Sequence, residues 1–358
     1  MVSGADGTAS TQLILGSTAG PVTVTASSGT LAPVSFGATI TATGGIALPT
    51  ISAGGVVGAG LSVPAVTAAS TNGILSVFGS NFAPIGTFKQ VGAGDLVNGQ
   101  LPTIFEGVCV LVGSVRAPIF AVLSNQINFQ ATQVPASGTV PVQVVRNCGT
   151  ANELHSDPQP VTAHAASPEF FYFQQTASGK NPIAAINATT GKYVGAAGLL
   201  PGVTFAPASP GDILTLYFTG GGTTNPAFAA GELPDKAAHV TGTTQVTVGG
   251  IAVSSADVLY AGVAPQYAGL YQLNLHVSKD TPDGDQPVVL TIAGIASPAV
   301  GFVKVQHSSG TTGFRPASAQ IRVEDHSPGR SEPPVWFSPQ EFSRQMKRMQ
   351  NRGTGPTE

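Results

Sequence analysis

The sequence predicts an all-β protein: two tandem antiparallel β-sandwiches, preceded by a partial strand segment and followed by a mostly disordered tail. The first observation is an internal repeat. The stretch that starts at Gln126 and the stretch that starts at Gln272 match at a constant offset of 146 residues (272 minus 126), through Asn128/Asn274, Gly138/Gly284, Pro141/Pro287 and Val142/Val288. A constant register across strand, turn and strand indicates that one supersecondary unit occurs twice.

Composition is the second observation. Glycine (45) and proline (28) are abundant among the 358 residues, and the apolar 42% is mostly Val, Ile, Leu and Ala interleaved with Thr and Ser. This mixture favours strands joined by tight turns. Charged residues make up 9%, against about 25% in a typical soluble domain. The net charge of −3 gives no reason to expect a nucleic-acid partner.

Residues 1–43 are predicted to be the remnant of a sandwich domain. Strands are expected at 10–15, 21–25 and 33–40, because apolar and polar residues alternate in the last two of them. Asp6-Gly-Thr-Ala-Ser-Thr-Gln-Leu-Ile-Leu-Gly16 and Gly20-Pro-Val-Thr-Val-Thr-Ala26 resemble the closing strands of bacterial Ig-like domains of the invasin and intimin type. Residues 44–68, rich in glycine and proline, are predicted to be a flexible linker or poorly formed strands.

Two full sandwiches are predicted at 69–166 and 167–306. The first opens with Gly73-Ile-Leu-Ser-Val-Phe-Gly-Ser-Asn-Phe-Ala-Pro84, which is expected to be a strand that ends in a Gly-Asn turn, and further strands are expected near 108–113, 117–123, 126–131 and 139–146. In the second, strands near 210–220, 245–251, 258–262 and 270–277 repeat that plan. Many short strands at this spacing are typical of an antiparallel sandwich.

These two units resemble an uncharacterised Ig-like C-terminal domain family of acidobacterial secreted proteins, similar in style to IPT/TIG domains. The motifs that carry the resemblance are Val110-Leu-Val-Gly-Ser-Val-Arg-Ala-Pro-Ile, Gln126-Ile-Asn-Phe-Gln, Pro168-Glu-Phe-Phe, Asn181-Pro-Ile-Ala-Ala, Pro210-Gly-Asp and Leu259-Tyr-Ala-Gly. The resemblance implies an Ig-like fold and an exported protein, and it implies no chemistry.

Residues 307–358 change to Ser, Gly, Pro and charge, which is typical of a disordered tail. Within it, Ser338-Pro-Gln-Glu341 has the pattern of a capping box, and Phe342, Met346 and Met349 would share one face of a helix at 339–351. The tail is expected either to stay frayed or to fold that helix on a partner.

Cys109 and Cys148 are the two cysteines of the chain, and each lies in or beside an apolar strand-like run. Two strand-borne cysteines in one domain predict a stabilising disulfide in an exported protein, and the alternative is a pair of buried thiols. The sequence begins with neither a basic start nor an apolar segment, so we expect any signal peptide to lie upstream of it.

The repeated amides are the best candidate for a specific role. Gln126 and Asn128, like Gln272 and Asn274, should lie on the strand face opposite their apolar neighbours, with Tyr271 beside the second pair. The hypotheses are a surface that binds sugars or another chain, and a structural duty toward nearby backbone groups. For Phe170-Phe-Tyr-Phe173, packing at the junction between the units is favoured over an open sugar-stacking platform.

No enzyme, metal or cofactor is predicted. Asp280, Asp283 and Asp285 crowd one turn as calcium ligands would, but the matched positions in the first repeat are not acidic. The six histidines lack zinc spacing, and catalytic motifs such as Gly-x-Ser-x-Gly are missing. The function predicted is a non-catalytic spacer or adhesion-type module of a larger exported bacterial protein, outside the cell or at its surface. Its expected partner is an unknown protein or glycan, with no membrane insertion; a carbohydrate-binding accessory module is the alternative.

Overall fold

The computed structural model describes residues 20–40, 47–176 and 180–307, and in these residues the chain is all-β apart from one 3₁₀ turn, Ala93–Asp95. The chain divides between Leu48 and Pro49 into two compact units. The predicted strand at 10–15 and the predicted tail helix at 339–351 lie outside the described residues.

The described part of the first unit is a hairpin of β1 (Gly20–Ala26) and β2 (Val34–Ile40). Val24 lies opposite Phe36 in its antiparallel register. Both strands fall where the alternation of apolar and polar residues predicts them.

The second unit begins with eleven strands that form sandwich 1. They are β3 (Thr50–Gly58), β4 (Ala68–Ala69), β5 (Ile74–Ser80), β6 (Phe88–Gln90), β7 (Val108–Val112), β8 (Val115–Ala117), β9 (Ile119–Leu123), β10 (Gln126–Gln130), β11 (Thr139–Arg146), β12 (Leu154–His155) and β13 (Gln159–Ala163). Sheet A1 has the order β3-β5-β10-β9-β6, and sheet B1 has the order β4-β13-β11-β7-β8, with β12 beside β11.

Fifteen further strands form sandwich 2. They are β14 (Glu169–Phe170), β15 (Asn181–Pro182), β16 (Ala185–Asn187), β17 (Tyr193–Val194), β18 (Phe205–Ala206), β19 (Ile213–Thr219), β20 (Thr224–Asn225), β21 (His239–Val240), β22 (Thr244–Val248), β23 (Ile251–Ala252), β24 (Val258–Val263), β25 (Tyr271–His276), β26 (Gly284–Ile292), β27 (Ile295–Ala296) and β28 (Gly301–Val305). Sheet A2 has the order β18-β17-β16-β19-β25-β24-β21-β20, with β14 beside β19. Sheet B2 has the order β15-β28-β26-β22-β23, with β27 beside β26.

The strand order repeats between the sandwiches, as the internal repeat predicts. The run β5-β10-β9 in sheet A1 has the same order as β19-β25-β24 in sheet A2, and β13-β11-β7-β8 in sheet B1 corresponds to β28-β26-β22-β23 in sheet B2. Even the parallel edge strand recurs, because β4 pairs in parallel with β13 and β15 with β28. Each sandwich buries its own apolar core, one drawn from residues 51–163 and the other from residues 166–305.

Residues 44–68 are predicted to be a flexible linker or poorly formed strands, and residues 50–58 follow the second alternative in forming a strand. These residues form β3, the edge strand of sheet A1, which pairs with β5. Neighbours approach the backbone closely at two of the glycines in β3: a Cβ on Gly55 would lie 2.6 Å from the Phe78 carbonyl oxygen, and one on Gly58 would collide with the Glu169 carboxylate. At these two positions glycine marks tight packing and not flexibility.

Candidate functional site

The amides of the first repeat are buried structural groups. The Asn128 side chain is 0% exposed, and its Oδ1 atom accepts hydrogen bonds of 2.9 Å from both Ser76 Oγ and Gln126 Nε2. These residues share the outer face of sheet A1 with Ile74 and Gln130, whose side chains contact sandwich 2. Gln126 and Asn128 therefore present no surface to a ligand.

The amides of the second repeat lie in a more open setting. Gln272 and Asn274 point away from the core of sandwich 2 and are half-buried. Tyr271, by contrast, lies in that core at 0% exposed, and its hydroxyl donates to the Gly222 carbonyl oxygen. The prediction that Tyr271 belongs to a polar binding face is wrong, because alternation along β25 puts Tyr271 on the same side of the strand as Leu273.

An apolar cluster joins the two sandwiches. Its members come from sheets A1 and A2 and from the loops beside them; they are Ala59, Ile74, Phe171, Ala184, Tyr217, Ala264 and Leu270, with Phe120, Ile186 and Tyr267 packed against them. Phe171 therefore packs at the junction, as expected for the aromatic run. Phe170 and Tyr172 point instead into the core of sandwich 2. The run forms no open sugar-stacking platform.

A buried acid also links the two sandwiches at this junction, and no sequence pattern indicates its role. Glu169, on β14 of sandwich 2, is 0% exposed. One of its carboxylate oxygens accepts from Gly60 N at 2.9 Å, and the other accepts from Ser62 N at 2.9 Å and Ser62 Oγ at 2.6 Å. Burial raises the pKa of Glu169, and the hydrogen bonds from Ser62 and Gly60 oppose that shift. We call this arrangement the Glu169 clasp.

A second clasp closes the junction with a loop of sandwich 2, where the peptide bond before Pro226 is cis. Asn72 Nδ2 donates to the Phe228 carbonyl oxygen at 3.0 Å, and Gly231 N donates to Gln130 Oε1 at 2.6 Å. The Gly231 carbonyl oxygen in turn accepts from Leu101 N at 2.9 Å. Each sandwich thus forms side-chain hydrogen bonds to a backbone segment of the other.

Sheet B1 carries the disulfide, on the face that points away from the core of sandwich 1. The sulfur atoms of Cys109 and Cys148 are 2.03 Å apart, and both residues pack with Val145 and Leu111 in a small apolar cluster. In the described part of the chain there is no free cysteine.

A cleft of about 570 Å³ opens on that face, next to the disulfide. Its lining consists of Thr103, Cys109, Leu111, Ser114, Val115, Arg116, Val145, Glu153 and His155. Glu153 lies between two basic groups, 3.2 Å from His155 Nε2 and 3.9 Å from an Arg116 nitrogen. A hydrogen bond from Gly149 N, assisted by His155 and Arg116, lowers the pKa of Glu153.

The three carboxylates of the acidic turn point to different partners. Asp280 lies 2.9 Å from Lys279 Nζ, Asp285 lies 3.1 Å from Lys304 Nζ, and Asp283 lies 2.6 Å from His307 Nδ1. Among the described residues no group of His, Cys, Asp or Glu side chains is arranged to hold a metal ion. In that same part of the chain there is no helix long and apolar enough to cross a membrane.

Comparisons with known proteins leave the family open. No family model matches the sequence, and no curated protein matches it. Among solved structures, the chain is similar to the plexin A4 extracellular region, domains 1 to 8, at 12% identity and a TM-score of 0.23, over 69% of this chain and 17% of that one. It is also similar to the Bacteroides ovatus mixed-linkage glucan utilization locus protein SGBP-B, solved with a mixed-linkage heptasaccharide, at 11% identity and a TM-score of 0.27, over 81% of this chain and 54% of that one. The chain thus spans less than two thirds of either protein, and similarity this low carries no functional argument.

Proposed function

We propose that this chain is a non-catalytic, rigid interaction module of a larger exported bacterial protein, in which two Ig-like sandwiches act as one body. The observation that carries the proposal is the reciprocal clasp at the junction. Sandwich 2 holds the backbone of residues 60–62 through Glu169, and sandwich 1 holds the backbone of residues 228–231 through Asn72 and Gln130. Together with the apolar cluster, these hydrogen bonds oppose rotation of one sandwich against the other.

The exported setting is supported by the disulfide between Cys109 and Cys148, since such bonds persist in oxidising compartments. The motif resemblance to secreted Ig-like domains points the same way. We propose a location outside the cell or at its surface, and membership of the IPT/TIG-like family is part of the same proposal.

A stiff pair of sandwiches suits a spacer or adhesion stalk because it holds the loops at its ends in a fixed relation. The ligand on those loops would be a protein or a glycan of another surface. The low charge of the module, 9% charged residues over the whole chain, gives a nucleic acid no basic face to bind.

The carbohydrate-binding alternative depends on different residues from those that the sequence suggested. Gln126 and Asn128 are covered, and Tyr271 is inside a core. One observation still favours it: the cleft beside the disulfide, which combines an apolar floor with polar side chains at its rim.

Differential scanning calorimetry of the full chain tests the rigid-module proposal. If the sandwiches form one body, strands of both should unfold in one cooperative transition, with the calorimetric enthalpy equal to the van't Hoff enthalpy. Two separated transitions, each with the enthalpy of one sandwich, would contradict the proposal.

A further inference from the structure

The cleft on sheet B1 lies across four adjacent strands. In the strand register, Arg116 on β8 is opposite Leu111 on β7, and Cys109 on β7 is opposite Val145 on β11, which is opposite His155 on β12. The step from β8 to β12 crosses three strand spacings, which is roughly 14 Å at about 4.8 Å each. The side chains of Arg116 and His155 both contact that of Glu153 across this distance, and the cleft volume of about 570 Å³ lies in the usual range for ligand pockets.

The charges in the cleft exclude strongly charged ligands. Arg116 carries a guanidinium group and Glu153 a carboxyl group, whose pKa is lowered by the hydrogen bond from Gly149 N. An anion would meet the Glu153 carboxylate, and a cation would meet the Arg116 guanidinium. The two opposite charges lie 3.9 Å apart, so a neutral ligand pays the smallest electrostatic cost.

The remaining chemistry describes that neutral ligand. Arg116 offers N–H donors, Glu153 offers acceptors, and the hydroxyls of Ser114 and Thr103 do both. Beside them, the half-buried Leu111 and Val115 supply apolar contact. Sugar rings match both parts, because adjacent hydroxyls pair with such donors and acceptors while the C–H face covers an apolar floor.

We propose that this cleft is a binding site for a neutral sugar. No phenylalanine, tyrosine or tryptophan ring is among its lining residues, so stacking contributes nothing and the affinity is weak, with a dissociation constant of about 1 mM. The proposal rests on the carbohydrate-binding alternative given above, for which it specifies the site and the ligand class, and it is independent of the rigid-module function, because a rigid junction neither requires nor excludes a ligand on sheet B1.

The disulfide gains a role in this site. Cys148 lies in the turn that follows β11, its backbone N donates to the Gly107 carbonyl oxygen, and the next residue, Gly149, holds Glu153 through a 2.7 Å hydrogen bond. The covalent link from Cys109 to Cys148 therefore fixes the backbone group that positions Glu153. Reduction should weaken sugar binding while leaving the junction in place.

The test is an NMR titration of the isotope-labelled full chain with three neutral tetrasaccharides, cellotetraose, mannotetraose and xylotetraose, and with digalacturonate as the charged comparison. At least one neutral sugar should give saturable shifts at Arg116, Glu153 and His155. Arg116→Ala should weaken that binding at least fivefold, and so should reduction. Lys89→Ala, an exposed cation on β6 of the same sandwich, should leave it unchanged.

Three results of the sugar titration would overturn the proposal. They are no saturable shift with any neutral sugar, saturable shifts confined to residues outside the cleft, and tighter binding of digalacturonate than of every neutral sugar. An Arg116→Ala variant that keeps full affinity would also overturn it, provided that its spectrum shows an intact fold. None of these outcomes changes the calorimetric test of the junction, so the two proposals can fail separately.

Discussion

The two sandwiches share their strand order and their Gln-x-Asn motif, yet they use that motif differently. In sandwich 1 the amides of Gln126 and Asn128 are buried on the face of sheet A1 that meets sandwich 2, and they bond to one another. In sandwich 2, Gln272 and Asn274 remain half-buried. Sandwich 1 also carries the disulfide. The same motif is therefore compatible with two environments, and its recurrence by itself identifies a repeated fold and not a ligand site.

Breaking the disulfide should give the largest difference between the sandwiches. The bond closes a sequence separation of 39 residues, for which chain entropy predicts a loss of about 4 kcal/mol in the free energy of unfolding on reduction. Hydrogen exchange under reducing conditions should show a larger loss of protection in β7 and β11 than in the matched strands β22 and β26, because local opening beside the broken bond adds to the global unfolding that both sandwiches share.

The control for reduction is the double variant Cys109→Ser/Cys148→Ser, on which a reductant should have no effect. Equal loss of protection in β22 and β26 would mean that the two sandwiches do not differ in this respect.

Removing the Glu169 clasp should come next in size. Glu169→Ala leaves three buried donors on Gly60 and Ser62 without their acceptor, which should cost about 3 kcal/mol in a urea unfolding experiment. Glu106→Ala is the matched control, since this exposed acid makes one ionic contact of 4.0 Å and should change stability by less than about 0.5 kcal/mol. Similar losses in the free energy of unfolding for Glu169→Ala and Glu106→Ala would show that the Glu169 clasp does not stabilise the protein.

The pH dependence of Glu169 has a definite sign. Burial raises its pKa in the folded state, so the folded state holds this proton more tightly than the unfolded state does. The free energy of unfolding therefore starts to fall as the pH rises above the ordinary glutamate pKa, and the loss is complete above the folded-state pKa of Glu169. Glu169→Gln should flatten this part of the stability–pH profile, and an unchanged slope would contradict the assignment.

The matched asparagines give the most direct comparison, with a smaller effect. Asn128→Ala removes the acceptor of both Ser76 Oγ and Gln126 Nε2 in a buried site, which should cost about 2 kcal/mol. Asn274→Ala should change stability by less than about 0.5 kcal/mol, because in the described structure Asn274 Oδ1 has no hydrogen-bond partner to lose. Equal costs in urea unfolding would show that both amides have the same duty.

The smallest effect concerns a pair found in sandwich 2. A hydrogen bond to Asp283 raises the pKa of His307, and the same contact lowers the pKa of Asp283. His307 therefore stabilises the folded state below the ordinary histidine pKa, and this stabilisation is lost as the pH rises through its raised pKa. Asp283 stabilises the folded state above the ordinary aspartate pKa, and this stabilisation is lost as the pH falls through its lowered pKa. In an NMR titration of the His307 ring, Asp283→Asn should lower the pKa, whereas Asp280→Asn should not.

Much of the fold could be predicted because its signals are local. Alternation and turn residues locate β10, β11 and β25 within a residue or two, and the repeat predicts the shared strand order. The sequence left a flexible linker and poorly formed strands as alternatives for residues 44–68, because a close approach by Glu169 and a flexible chain both favour glycine. Tyr271 was misassigned although its spacing from Leu273 already placed it on the core face.

The junction could not be predicted, because its contacts join residues far apart in sequence. Glu169 is 109 residues from Gly60, and Gln130 is 101 residues from Gly231. Glu169 belongs to the motif Pro168-Glu-Phe-Phe, but nothing near it in the sequence indicates which residues it contacts. The cleft on sheet B1 could not be predicted for the same reason, since strand pairing brings Arg116 and His155, which are far apart in sequence, to one face of the sheet.

The central claim is that the two sandwiches move as one body, and a distance between them tests it most directly. Spin labels can be placed on Lys89→Cys in β6 and Gln245→Cys in β22, both exposed strand positions, while the native cysteines stay bonded to each other. Pulsed electron paramagnetic resonance should give one narrow distance distribution, which broadens in the Glu169→Ala background. A broad or multiple distribution in the otherwise native chain would contradict the account.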